Sequence, residues 1–232
     1  MSALVLQARL DSSRLPGKAL LPLGGRPMIF RVMQALAAGP WNAKVLACPE
    51  DSVSAFAPLA EEAGFSLLAG PKEDVLARYT LAVDRFGPER IVRATGDNPF
   101  VFLDAAAAID REAQAQGADY AAYEGLPTGA GVESVAAAAL LRAGKEAKAQ
   151  EEREHVCPYL YAHPEIFRLH IPPAPPQWQA PALRLTVDTA EDYEQALLLY
   201  EALLSLPPEE RNLGENIIAA YRKLNGSNNT RL

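Results

Sequence analysis

The chain has 232 residues, 49% of them hydrophobic and 22% charged, with a formal net charge of −7. That length is near the most that one hydrophobic core fills, and the apolar content excludes a disordered chain. The acidic balance excludes a non-specific nucleic-acid binder, which needs a broad basic surface.

Short apolar runs alternate with longer helical patterns, which predicts an α/β fold: a mainly parallel sheet flanked by helices. Residues 3–8 read as a first buried strand. The run is too short for a signal-peptide core and no basic segment precedes it, so the expected location is cytoplasmic. Ile29, Val32, Met33 and Leu36 have helical spacing and place a helix over 28–38, stopped by Gly39-Pro40. A strand over 44–47, a helix over 52–63, a strand over 65–68 and a helix over 74–86 follow. The strand 90–94 runs into Thr95-Gly96-Asp97-Asn98-Pro99, and an Ala-rich helix spans 103–116.

The pattern changes after Asp119. A strand over 120–123, a Gly/Pro loop over 125–131, helices over 135–149 and 154–162, and a strand over 166–171 are expected. A Pro-rich connector (Pro172, Pro173, Pro175, Pro176) follows. Residues 183–187 are expected to return to the sheet as a strand and deliver Asp188. The capping-box spacing of Thr189 and Asp192 then starts a helix that reaches about Leu204. A last helix covers 213–224 and a polar tail begins at 225. The whole reads as one domain, 1–224, with an inserted subregion at about 119–181. Cys48 and Cys157 lack metal-ligand spacing and fit a reducing compartment. No stretch approaches the roughly 20 apolar residues that span a bilayer.

In open parallel sheets, ligands bind beyond the C-terminal strand ends. The first strand leads into Arg9-Leu10-Asp11-Ser12-Ser13-Arg14-Leu15-Pro16-Gly17-Lys18, three cations along a Ser/Gly/Pro loop. Such a loop either wraps a polyphosphate or is a solvated basic loop; it is neither a P-loop nor a dinucleotide fingerprint. Asp97 and Asp188 are each expected at a strand end. They are either a carboxylate pair that holds Mg²⁺ or a turn residue and a helix cap. The three features together favour phosphoryl chemistry. His163 and His170 read as structural, and no order of Ser, His and Asp supports covalent catalysis.

Gln7-Ala8-Arg9, the segment Ser12 to Lys18 and Gly25-Arg26-Pro27-Met28-Ile29 resemble the N-terminal signature of cytidylyltransferases, the CMP-Kdo and acylneuraminate synthetases. Glu73 to Tyr79, Arg93 to Pro99, Gly131-Val132-Glu133, Arg153-Glu154-His155-Val156 and Leu185 to Thr189 are similar to the spore coat polysaccharide biosynthesis protein F (SpsF) family. The likeness covers about residues 3–205. It implies a GT-A-like nucleotidyltransferase fold and a magnesium-dependent transfer of CMP from CTP to a sugar or sugar-acid acceptor, in surface polysaccharide biosynthesis. It also implies site roles. Lys18, Arg14 and Asp97 would be catalytic. Gln7, Ala8, Arg9, Arg14, Lys18, Asp74, Arg78 and Gly96 would bind the nucleotide. Arg93, Thr95, Glu133, Arg153 and His155 would face the acceptor, and Asp97 and Asp188 would hold Mg²⁺. The expected partners are CTP, the acceptor and a second copy in a homodimer, with no nucleic acid and no membrane. A nucleotidyltransferase of other base specificity and a non-catalytic scaffold of the same fold are the alternatives. Thr128, Cys157 and Ala190 depart from the family pattern, and Thr128 bears on the acceptor.

Overall fold

The computed structural model describes residues 1–228, and its centre is a seven-stranded sheet. β1 (Ser2–Gln7) leads through a long loop to a hairpin, β2 (Pro22–Leu23) with β3 (Arg26–Pro27), and then to α1 (Met28–Ala37). The alternation continues with β4 (Ala43–Pro49), α2 (Val53–Glu62), β5 (Ser66–Gly70), α3 (Val75–Phe86), β6 (Arg90–Thr95) and α4 (Leu103–Gln116). β7 (Tyr120–Ala121), β8 (Glu133–Ala136), α5 (Ala137–Glu146), α6 (Gln150–His155), α7 (Pro158–Ala162) and β9 (Leu169–His170) come next. α8 (Ala190–Leu203) and α9 (Gly214–Asn228) close the described chain.

The strand order is β5-β4-β1-β6-β8-β7-β9. The first four strands are parallel, while β8 runs antiparallel to both of its neighbours. Alternate side chains of a strand leave opposite faces, and both faces are covered here, so the middles of β1 and β4 are apolar on both sides. From β1, Leu4 and Leu6 pack under α1 and α2 beside Ile29, Met33 and Phe56. Ala3 and Val5 pack on the other face under α3 and α5, beside Leu76, Tyr79 and Leu140. A third cluster docks the C-terminal segment: Leu185, Val187, Leu199 and Ile217 close on Phe100, Phe102 and Trp178. That cluster brings a late piece of chain to the C-terminal mouth of the sheet.

The mainly parallel sheet and the early elements agree with expectation; five details of the later part do not. Residues 133–136 are a strand, with the helix beginning only at Ala137. Glu133 to Ala136 pairs with β6 and β7, and that long-range pairing outweighs the local Ala-rich helical pattern. In place of the expected helix over 154–162 stand two short ones, α6 starting earlier at Gln150 and α7 starting at Pro158, divided at Val156. The expected strands over 120–123 and 166–171 shorten to two residues each. Residues 183–187 are extended but join no sheet. They lie along the 128 loop, where the Thr128 amide donates to Leu183 O at 3.0 Å and the Leu185 amide to Thr128 O at 2.8 Å. α9 runs past 225 to Asn228; residues 229–232 of the expected tail lie outside the described residues.

Candidate active site

A cavity of about 360 Å³ opens beyond the C-terminal ends of β1 and β6. Gln7 and Thr95 end those strands side by side, and the Gly96 amide donates to Gln7 O at 2.8 Å. A Cβ at Gly96 would stand 2.7 Å from Ile29 Cδ1 and 3.0 Å from Ala8 Cβ, so glycine lets the two strand ends close up without displacing Ile29. Gln7, Ala8, Arg9, Arg14 and Lys18 line one side of the cavity; Arg93, Thr95, Gly96 and Asp97 line the other. The loop between them folds back on itself, with Leu10 O accepting from the amides of Ser12 (3.1 Å) and Gly17 (3.2 Å).

Lys18 is the centre of the charge pattern. Its Nζ donates to Asp97 Oδ2 at 3.1 Å, to Asp188 Oδ1 at 2.9 Å and to Val187 O at 2.8 Å. Arg14 Nη2 reaches the same Asp188 oxygen at 3.1 Å, and Arg184 Nη2 holds Oδ2 at 2.7 Å. Burial pushes the Asp188 carboxyl upward, but the bond and charge of Lys18, then Arg14 and Arg184, outweigh it and leave it below the usual carboxylate range. Asp192 supports the corner: its carboxylate accepts from the amides of Asp188 and Thr189, and the Thr189 hydroxyl accepts from Asp192 N–H. This is the capping box expected from sequence, and it fixes where α8 begins.

Arg78 enters from α3 and is 2% exposed, yet its Nε and Nη1 have no hydrogen-bond partner. Burial pulls its pKa down. A buried guanidinium with free donors on the wall of a cavity is a costly arrangement that a ligand with acceptor atoms relieves. A second cavity of about 300 Å³ adjoins the first and shares Arg93 and Thr95 with it. Glu133, Asn98 and Tyr123 line it as well. Arg93 Nη1 is paired with Glu133, which also accepts from the Tyr120 hydroxyl at 2.9 Å. Arg93 also donates from Nε to Gln7 Oε1 at 3.2 Å, tying the two cavities together.

Most of the residues singled out from sequence line these two cavities. Gln7, Ala8, Arg9, Arg14, Lys18, Arg78, Gly96, Asp97, Asp188 and His155 border the first; Glu133 borders the second; Arg93 and Thr95 border both. His155 lines the first cavity, with Gln7, Arg9 and Lys18, and not the second with Glu133. Asp74 and Arg153 line neither cavity. Asp74 caps α3 by accepting from the Ala77 amide at 2.9 Å, and its other oxygen takes Arg153 Nε (2.8 Å) and Nη2 (2.5 Å). The two form a strut between α3 and α6, with Arg153 further held by the carbonyls of Gly144 and Ala147. Arg184 is the residue that sequence reading missed. Arg184, Thr186 and Asp188 share one face of an extended segment, and that period of two is the signal that could have found it.

Asp97 and Asp188 are also the groups that could hold a cation. Among the described residues, no three His, Cys, Asp or Glu side chains are placed to hold a metal by themselves. Two hard carboxylates aimed at one point suit magnesium, which commonly takes one or two protein carboxylates and completes its shell with phosphate oxygens and water.

Comparison with known proteins gives the family and the fold. A family model described as cytidylyltransferase matches residues 3–219. The spore coat polysaccharide biosynthesis protein SpsF of Bacillus subtilis (strain 168) is 31% identical over 204 residues, covering 85% of this chain and 85% of that protein. A cytidylyltransferase structure from Leptospira borgpetersenii serovar Hardjo-bovis superposes with a TM-score of 0.86 at 24% identity, over 97% of this chain and 95% of that one. A CMP:2-keto-3-deoxy-manno-octonic acid synthetase complexed with CTP gives 0.67 at 16% identity, over 88% and 99%. The two structures share the fold. Among the described residues, no helix is long and apolar enough to cross a membrane.

Proposed function

The chain belongs to the cytidylyltransferase family, and on that premise we propose that this nucleotidyltransferase moves CMP from CTP to a hydroxyl of a sugar or sugar acid, in surface polysaccharide biosynthesis. The observation that carries the reading is Lys18, whose ammonium joins Asp97 and Asp188 beside Arg9 and Arg14 in the first cavity. Triphosphate in that cavity meets cations on one wall, and the acceptor lies in the second cavity across Arg93 and Thr95.

The acceptor oxygen attacks the α-phosphorus. A new P–O bond forms, the bond to the β-phosphate oxygen breaks, and pyrophosphate leaves while the hydroxyl proton passes to solvent. Little covalent work falls to the protein, so positioning and charge neutralisation supply most of the rate. Arg14 and Lys18 take the charge that develops on the leaving pyrophosphate. Asp97 and Asp188 would hold Mg²⁺, which neutralises phosphate charge when bound. The unpartnered Nε and Nη1 of Arg78 suit cytosine, whose O2 and N3 are adjacent acceptors; uracil presents a donor at N3.

The test is thermal stability with each of the four nucleoside triphosphates, with and without Mg²⁺. A ligand that binds only the folded chain at a hundredfold excess over Kd adds about 2.7 kcal/mol. A Mg²⁺-dependent rise with CTP alone supports the reading; an equal rise with UTP, or no rise with any of the four, overturns it.

A further inference from the structure

Among the described residues, Val156 is the one non-glycine residue with positive φ. Its φ of 74° and ψ of −55° fall near the γ-turn of opposite hand to the common one, and the Cys157 amide closes the turn by donating to His155 O at 2.9 Å. A β-branched side chain in this region is strained, and such strain persists only where the surroundings over-determine it. They do here. Upstream, Arg153 is bolted to Asp74 and to the carbonyls of Gly144 and Ala147. Val156 itself is fully buried in the core beneath α3 and α5. Downstream, Cys157 is buried in the same core cluster as Tyr120, and α7 starts at Pro158.

The turn separates residues that face different places. Glu154 and His155 line the first cavity, with Glu154 Oε1 4.0 Å from Arg9 Nη1. Cys157, two residues after His155, packs in the core cluster of Tyr120, whose hydroxyl donates to the Glu133 carboxylate that pairs with Arg93 on the wall of the second cavity. A relaxed backbone at 156 would send one of these two groups elsewhere.

We propose that Val156 is a positioning residue: its strained turn sets Glu154 and His155 in the nucleotide cavity in register with the Arg93–Glu133 pair of the acceptor cavity. The proposal rests on the functional reading above. It extends that reading to a residue that touches neither substrate.

Two variants separate strain from lost packing. Val156→Ala and Val156→Gly both empty the buried site and differ by one methyl, but alanine keeps the strain and glycine releases it. At an ordinary helical or extended position alanine is the more stable of the two. Here the glycine variant is expected to melt a few degrees above the alanine variant. It is also expected to keep kcat and KM for CTP-dependent pyrophosphate release near those of the unsubstituted chain, while the alanine variant, with the strain but without the packing that holds the turn, loses about tenfold in kcat. Measured well below both melting temperatures, where both variants are folded, a merely structural role leaves the kinetics of the two equal. Equal kinetics in the two variants, or alanine melting higher, overturns the proposal alone. An unsubstituted chain that fails to bind CTP in calorimetry overturns the functional reading and the proposal with it.

Discussion

The Val187 amide donates to the carbonyl of Asp97 at 2.8 Å. This backbone bond sets the separation of the two site carboxylates, because Asp97 is one of its partners and Asp188 is the next residue after the other. The segment that carries Asp188 belongs to no strand of the sheet, so its position depends on this bond, on the bonds to Thr128 and on the apolar seat of Leu185 and Val187.

Lys18→Met removes the cation that joins Asp97 and Asp188. Removing one preorganised charge-stabilising donor commonly costs about 10²–10³ in kcat, roughly 2.7–4 kcal/mol. A loss in that range is expected for CTP-dependent pyrophosphate release, read from steady-state kinetics on the purified variant.

Asp97→Asn and Asp188→Asn test the cation assignment. Each keeps the shape and removes an anionic oxygen, so the Mg²⁺ concentration for half-maximal activity should rise. Mn²⁺ binding in the presence of CTP, followed by electron paramagnetic resonance, should weaken in parallel. Unchanged Mn²⁺ binding in both variants removes the two carboxylates from the cation site.

Arg78→Met should act on stability and binding with opposite sign. The buried donors that lack partners cost about 1–3 kcal/mol in the free protein, and methionine fills similar space without them. At about 2–4 °C per kcal/mol for a chain of this size, the melting temperature is expected to rise by several degrees. Calorimetry should show CTP affinity falling tenfold or more.

Gly129→Ala should loosen the C-terminal segment. Gly129 has φ 88°, and a Cβ there would stand 2.6 Å from the Thr186 backbone nitrogen and 2.9 Å from Asn98 Oδ1. Neither backbone strain nor that clash can be relieved without moving residues 183–187. A destabilisation of about 2 kcal/mol or more is expected from urea unfolding, and the thermal shift with CTP should shrink.

Alkaline pH gives a fifth test. Burial pushes the Cys48 thiol up to about 11, against the Arg78 charge that lowers it and with Glu50 and Asp51 adding to the rise. The unfolded thiol ionises near 8.5. The native state therefore holds its proton where the unfolded state has lost it, so this contribution is whole below about pH 8.5 and is lost as pH climbs towards 11. Cys157 is raised in the same direction. Cys48→Ala should flatten the fall of the urea midpoint between pH 8.5 and 11.

The first hundred residues were legible because pattern and structure coincide there. Ile29, Val32, Met33 and Leu36 are the buried stripe of α1, and Gly39-Pro40 stands where that helix ends. Gly87 is the left-handed cap of α3, as its sequence position suggests. The later part was less legible because long-range pairing decides it. Nothing local in Glu133 to Ala136 announces an antiparallel strand between β6 and β7, and the alanines that follow extend the helical pattern backwards over it. The basic loop and both aspartates were legible from residue type at strand ends. The family likeness marks Asp74 and Arg153, but residue type says nothing of the bond between them, 79 positions apart, in which their role lies. Val156 could not be read at all: strain is a property of backbone angles, and valine carries no mark of it.

The bond from Lys18 to Asp188 spans 170 positions of chain. At synthesis rates of about 5–20 residues per second, the lysine leaves the ribosome on the order of ten to thirty seconds before its partner exists. Until then Lys18 has only Asp97, 79 positions on, of its two carboxylate partners, and closing the longer loop is entropically the last thing to be rewarded. A truncated product ending before 188 keeps the cationic loop and Asp97 but lacks the second carboxylate, so the lysine-bridged acidic pair forms only after the late segment is made.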